Sequence, residues 1–106
     1  MAQFDVHRNT GAHRDDIPFV VIVQSSVFDN YRRRVVVPLV KVSSLGKTEN
    51  SRFNPKFRIK NISVVLHPLE IVSVAVDKLG EHVASLSDDG GAIVDALDEL
   101  LARAWK

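Results

Sequence analysis

The side chains able to do chemistry in this sequence are few and scattered. Four histidines, His7, His13, His67 and His82, include no pair at i, i+2 or i, i+4, the short spacings that turn two imidazoles toward one metal ion. A distant pair can still meet in the fold, which spacing does not report. Asp88 and Asp89 are adjacent, so the chain splays their carboxylates apart, and at a helix start both read as capping residues. Ser25-Ser26 lacks the Gly-x-Ser-x-Gly elbow of a hydrolase nucleophile. Gly46-Lys47-Thr48 has the end of a phosphate-binding loop but not its opening glycine, because position 41 is Lys; it reads as a surface loop. Cysteine is absent, which removes thiol nucleophiles, zinc–thiolate sites and disulfides. No catalytic constellation emerges, and the expectation is a protein that is not an enzyme and holds no metal or cofactor.

Two features point to binding instead. Arg32, Arg33 and Arg34 form the densest positive charge in the chain. Guanidinium forks hold carboxylates bidentately, so the run suits an acidic partner; it equally suits a solvated start to a very apolar strand. Trp105 is the sole tryptophan. It reads either as an exposed aromatic anchor or as a seal between a helix and the sheet beneath it.

The elements that must position these groups are mostly strands. Phe19–Val23 and Val35–Val42 are β-branched, apolar runs around a polar interval, Gln24 to Arg34. Valine and isoleucine lose χ1 freedom in helices and pack well on a pleated surface. Neither run alternates cleanly, which predicts burial on both faces, as in a small barrel or folded-over sheet. Residues 3–7 alternate and predict a strand with one wet face, and residues 8–16 read as an exposed loop. Further strands are expected at 56–60, with Phe57 and Ile59 inward, at 62–66, and at 71–76 as the last one. Ser87-Asp88-Asp89 offers caps to a final helix, whose first turn Gly90-Gly91 should fray. In helical projection Ile93, Val94, Leu97, Leu100, Leu101 and Ala104 share one side; Asp95, Asp98, Glu99, Ala102 and Lys106 share the other. The 106 residues fit one domain, 1–106. Net charge is +1, so no global field advertises a nucleic-acid or membrane surface. Neither a signal peptide nor a membrane-length apolar run is visible, and a cytoplasmic location is expected.

Val23-Gln24-Ser25, Arg33-Arg34 and Val37-Pro38-Leu39, with Gln3-Phe4-x-Val6 before them and Gly80-Glu81-x-Val83-Ala84-x-Leu86-Ser87 after, resemble the CcdB family of plasmid toxins. The resemblance implies an SH3-like barrel of the CcdB/MazF type, mainly β with a C-terminal helix, that forms a homodimer. It implies the toxin of a type II toxin–antitoxin system, which poisons DNA gyrase by binding its A subunit and is neutralised by a CcdA-like antitoxin. Direct nucleic-acid binding is not implied. By position, Ser25 and Val27 match gyrase-contacting residues of the family, and Trp105 matches the tryptophan of its terminal Trp-Gly-Ile. Lys106 stands where the family has glycine, and Leu101 where it has a contacting asparagine. Arg32, Arg33 and Arg34 are the candidate antitoxin surface. Phe28 and Tyr31 fit either turn or dimer packing. Beside this stand a homologue that keeps only antitoxin binding, and a MazF-like endoribonuclease, whose opening basic-glycine-acidic turn is absent here. The segment 80–87 is expected to form a turn and short helix.

Overall fold

The computed structural model describes residues 2–45 and 51–102. Seven strands form one antiparallel sheet: β1 (Asp5–Arg8), β2 (Phe19–Ile22), β3 (Arg33–Lys41), β4 (Lys56–Ile59), β5 (Ile62–Leu66), β6 (Val72–Ala75) and β7 (His82–Ser85). A single-turn helix α1 (Val42–Leu45) follows β3, and α2 (Gly90–Leu101) closes the described chain. The order is β4-β5-β3-β2-β1-β7, with β6 also on β3. The free side of β3 is shared: Arg33 to Val36 pair with β6, and Leu39 to Lys41 pair with β5. That division curls the sheet into a half-barrel carrying a C-terminal helix, the mainly β class expected.

Burial on both faces of the central strands is borne out. Phe19, Val21, Val37 and Leu39 pack into one apolar cluster with Ile93 and Ala96 of α2, while Val20, Ile22 and Val36 enter a second on the opposite face. A strand covered on both sides has no reason to alternate. The turn between β4 and β5 is two residues, Lys60 and Asn61, both at positive φ, the conformation that matches hairpin twist. Phe57 is half-buried and Ile59 fully buried, as the alternation of 56–60 predicts.

Several local expectations are corrected. Residues 82–85, expected within a turn and short helix, form β7, because β1 would otherwise leave one row of backbone groups unpaired beside the core. The strand therefore postdates 71–76 as the last one. The first strand has no simple wet face: Val6 and His7 are both buried, and the β1–β7 register shifts between them. Asp88 and Asp89 do not cap by side chain; Ser87–Asp89 is itself a 3₁₀ turn leading into α2. Gly90 has a packing role at the helix start. A Cβ there would sit 2.6 Å from Phe4 Cε2, so glycine lets the helix start approach the sheet. Of the projected stripe, Ile93 and Ala96 are buried, whereas Val94 is 44% and Leu101 72% exposed. The stripe is narrower than the projection because the curled sheet covers only part of the helix.

Candidate functional site

The connection between β2 and β3, residues 23–32, carries Ser25, Val27 and Arg32 of the expected site, with Arg33 and Arg34 opening β3 directly after it. Where the two strands diverge, Gln24 takes over their pairing. Its Oε1 accepts from Val35 N (2.9 Å) and its Nε2 donates to Arg33 O (3.3 Å). Ser25 then starts a 3₁₀ turn, Ser26–Phe28, with its Oγ accepting from Val27 N at 3.2 Å. This local bond is the usual way a serine competes with regular pairing and reverses the chain. The turn throws apolar groups outward: Val27 is 76%, Phe28 50% and Tyr31 68% exposed. The two rings meet edge-on with centroids 6.1 Å apart.

The three arginines have three different fates. Arg34 is buried and its guanidinium holds the projection from within. Its Nη1 donates to Tyr31 O (2.7 Å) and Arg33 O (2.9 Å), and its Nη2 to Asp29 O (3.0 Å). The Asp29 carboxylate lies 3.8 Å from Nε, a charge contact too long for a hydrogen bond. Arg34 is thus inside the fold rather than on a surface. Arg33 is exposed but fixed, donating from Nε to Ser73 Oγ and from Nη2 to Ser73 O, both at 2.7 Å. Arg32 is exposed. A depression of about 440 Å³ lies between Arg32, Arg33 and the Ala75–Asp77 segment, and another of about 380 Å³ lies between Arg33, Gln24, Phe28, Tyr31 and Ser73. Arg33 borders both.

The structure therefore puts Ser25, Val27 and Arg32 on one projection, Arg33 at the start of the adjoining β3, and Leu101 on the exposed end of α2. Trp105, Lys106 and the Gly46-Lys47-Thr48 stretch lie outside the described residues. Sequence reasoning missed Gln24 and Ser73, which hold the projection and Arg33. A glutamine just past an apolar strand is a weak signal, and nothing near Ser73 announces its partner 40 positions earlier.

A second polar group stands at the open end of β1. Arg8 Nε donates to Glu81 Oε1 at 2.6 Å, and this hydrogen bond and the guanidinium charge hold the carboxyl below the usual carboxylate range, with Lys60 adding to the effect against a small desolvation cost. His82 Nε2 lies 3.5 Å from Asp5 Oδ1, and the His82 ring meets buried His7 edge-on. Among the described residues no three His, Asp or Glu side chains are grouped to hold a metal ion.

The model of the CcdB protein family matches residues 3–102, nearly the whole chain. The chain belongs to the CcdB family. It is thus a CcdB-family toxin by descent, and the match spans every strand and α2. No curated protein sequence matches it significantly. Among solved structures, it is similar to an endoribonuclease in complex with its cognate antitoxin from a mycobacterial species, with a TM-score of 0.77 at 15% identity. That superposition covers 100% of this chain and 99% of the other. At that identity the likeness is one of fold.

This likeness corrects the expectation that the chain is not an enzyme. A protein of the same fold, matched end to end, is an endoribonuclease. The absence of a catalytic motif in the sequence therefore excludes nothing, because a half-barrel assembles side chains from distant segments and leaves no local spacing to read. No helix among the described residues is long and apolar enough to cross a membrane.

Proposed function

We propose that this CcdB-family toxin belongs to a toxin–antitoxin pair, poisons DNA gyrase by gripping its A subunit through the β2–β3 projection, and is neutralised by a CcdA-like antitoxin. The observation that carries the reading is the exposed apolar tip, Val27 with Phe28 and Tyr31, held rigidly by the Gln24 and Arg34 bonds. Large apolar side chains on a preorganised turn are what a hot spot requires: area to bury and little entropy to lose. Leu101, exposed at the end of α2, and Ser25 complete the gyrase surface, together with Trp105 and Lys106. An acidic antitoxin segment takes Arg32 and Arg33, which both line the first depression, Arg33 also bordering the second. The active form is an isologous homodimer, assembled through the sheet and the exposed Val94 edge of α2 in the bacterial cytoplasm.

Endoribonuclease activity is the second reading, and the similarity to the mycobacterial toxin favours it. Induced expression in two matched bacterial strains separates the two. One carries ordinary gyrase A and the other a gyrase A that resists CcdB-type poisons. Killing confined to the sensitive strain supports gyrase as the target. Killing in both strains, with cellular RNA fragmented, overturns it in favour of RNA. Harmless expression of folded protein in both sinks both readings and leaves antitoxin binding alone.

A further inference from the structure

The outer edge of β6 is built to receive a strand. Val35 directs both of its backbone groups toward β2: its N–H donates to Gln24 Oε1 (2.9 Å) and its carbonyl accepts from Val23 N (3.0 Å). In an antiparallel ladder the bonded pairs alternate, so Arg34 and Val36 face β6, where Val74 and Val72 lie opposite them. Val76 N donates to Arg32 O at 2.8 Å in the same phase. The N–H and carbonyl groups of Ser73 and Ala75 therefore point away from β3, along an edge that has no strand partner among the described residues. Exposed edges are usually guarded by charge. Of the strands that end the sheet, β4 carries Lys56 and Arg58, and β7 follows Glu81; β6, Val72-Ser73-Val74-Ala75, carries no charge of its own.

The side chains along this edge are also ordered. Ser73 lies opposite Val35 and Ala75 opposite Arg33, so these four share one face. Over the first pair lies the depression of about 380 Å³ that Phe28 and Tyr31 also line, and over the second lies the depression of about 440 Å³ that Arg32 and Asp77 also line. The two pairs are roughly 7 Å apart along the strand, the spacing of side chains i and i+2 in any extended segment. We propose that the outer edge of β6 takes an extended segment of the antitoxin as an added strand, which seats a large apolar side chain against Phe28 and Tyr31 and, two residues away, a carboxylate against Arg32 and Arg33. The proposal rests on the antitoxin reading above and specifies how that partner is held. Main-chain pairing supplies affinity and the two alternate depressions supply specificity. Two guanidinium groups against the single Asp77 carboxylate leave the second depression positive, with a place for one acid. Arg33 Nη2 already donates to Ser73 O (2.7 Å), and that carbonyl keeps a second lone pair for an incoming N–H. A second copy fits the edge poorly, because pairing β6 with β6 would bring two Arg33 guanidinium groups together with no acid between them.

The test uses full-length protein and blocked nine-residue peptides on a threonine background, carrying leucine and glutamate two positions apart in either order. Controls replace the glutamate by glutamine or move it to a spacing of three, which puts the two side chains on opposite faces. Ala75 already sits at φ −66 and ψ 140, values that proline adopts, so Ala75→Pro removes an outward N–H and keeps the ladder to β3. Expected are binding of one order of the spaced peptide, slower amide exchange at Ser73 and Ala75 when it binds, and a loss of about tenfold for either control peptide and for Ala75→Pro, whose melting temperature is unchanged. Binding that needs Arg32 but survives Ala75→Pro, without slowed exchange, overturns strand addition and leaves the antitoxin reading standing. If Ala75→Pro is destabilised, the wild-type exchange decides: no slowing at Ser73 and Ala75 overturns the proposal. A wild-type dimer that Ala75→Pro converts to monomer assigns the edge to a second copy and overturns it as well. Failure of every acidic peptide to bind folded wild-type protein overturns this mode and the arginine surface together.

Discussion

Residue by residue, the arginine run shows how identical side chains in sequence acquire unequal roles. Arg34 is a buried cation whose partners are three carbonyls and a distant carboxylate. Its removal takes the Arg34 donors from Tyr31 O, Asp29 O and Arg33 O, of which Arg33 O keeps Gln24 Nε2, and takes the nearby positive charge from the Asp29 carboxylate. Arg34→Ala should therefore lower stability by about 3 kcal/mol, read from urea unfolding, because stripping one partner from a buried charge network is costly. Arg32→Ala should leave stability within about 0.5 kcal/mol while weakening capture of an acidic antitoxin, measured by calorimetry. Glu81 supplies a pH dependence. Its carboxyl is held below the usual range by Arg8, so the folded state binds that proton less readily than the unfolded chain. The stabilisation is present above the ordinary carboxylate range and disappears as pH falls through the lowered folded value. The pair is solvent-exposed, so the effect is small and screened by salt. The melting difference between wild type and Glu81→Gln should be positive at neutral pH, shrink in strong salt, and vanish in strong acid.

At the scale of elements, the β2–β3 connection behaves as a rigid projection because side chains replace missing backbone pairing. Gln24 supplies both an acceptor and a donor at the point where the strands part. Gln24→Ala leaves the Val35 N–H without its acceptor and should loosen the tip, seen as faster amide exchange in residues 25–31 with the core unchanged. Val27→Ser removes exposed apolar area and should cost nothing in stability while weakening partner binding, a separation that a denaturation curve and a binding isotherm together reveal. The start of α2 presents the opposite case. Alanine is a better helix former than glycine by about 1 kcal/mol. Gly90→Ala should nevertheless destabilise, by about 1 kcal/mol net, because the added Cβ would press on the Phe4 ring at 2.6 Å and overpacking costs about 1–3 kcal/mol. A higher melting temperature for this variant would show that the Phe4 ring yields freely.

For the whole molecule, the half-barrel carries two separate concave regions of different lining. The projection offers apolar tip and arginines; the cleft between the β1–β2 loop and the turn after β5 offers imidazoles and carboxylates. In the proposed function, gyrase and antitoxin both engage the first. The proposed dimer has its own test: Val94→Glu places a charge on the exposed edge of α2 and should convert a dimer to monomer in sedimentation without loss of secondary structure.

Much of this protein was legible in its sequence because the physics involved is local. The β-branched runs at 19–23 and 35–42, lacking alternation, required strands covered on both faces, and the period of the last segment required a docked helix. The dispersed matches from Gln3 to Ser87 pointed to the family. What the sequence could not carry depends on contacts between distant segments. The unpaired side of β1 decided that 82–85 is a strand. The curl of the sheet decided which of three adjacent arginines is buried and left Val94 and Leu101 uncovered. Tertiary packing likewise set His13 and His67, 54 positions apart in the chain, on the lining of one cleft, which no motif spacing records.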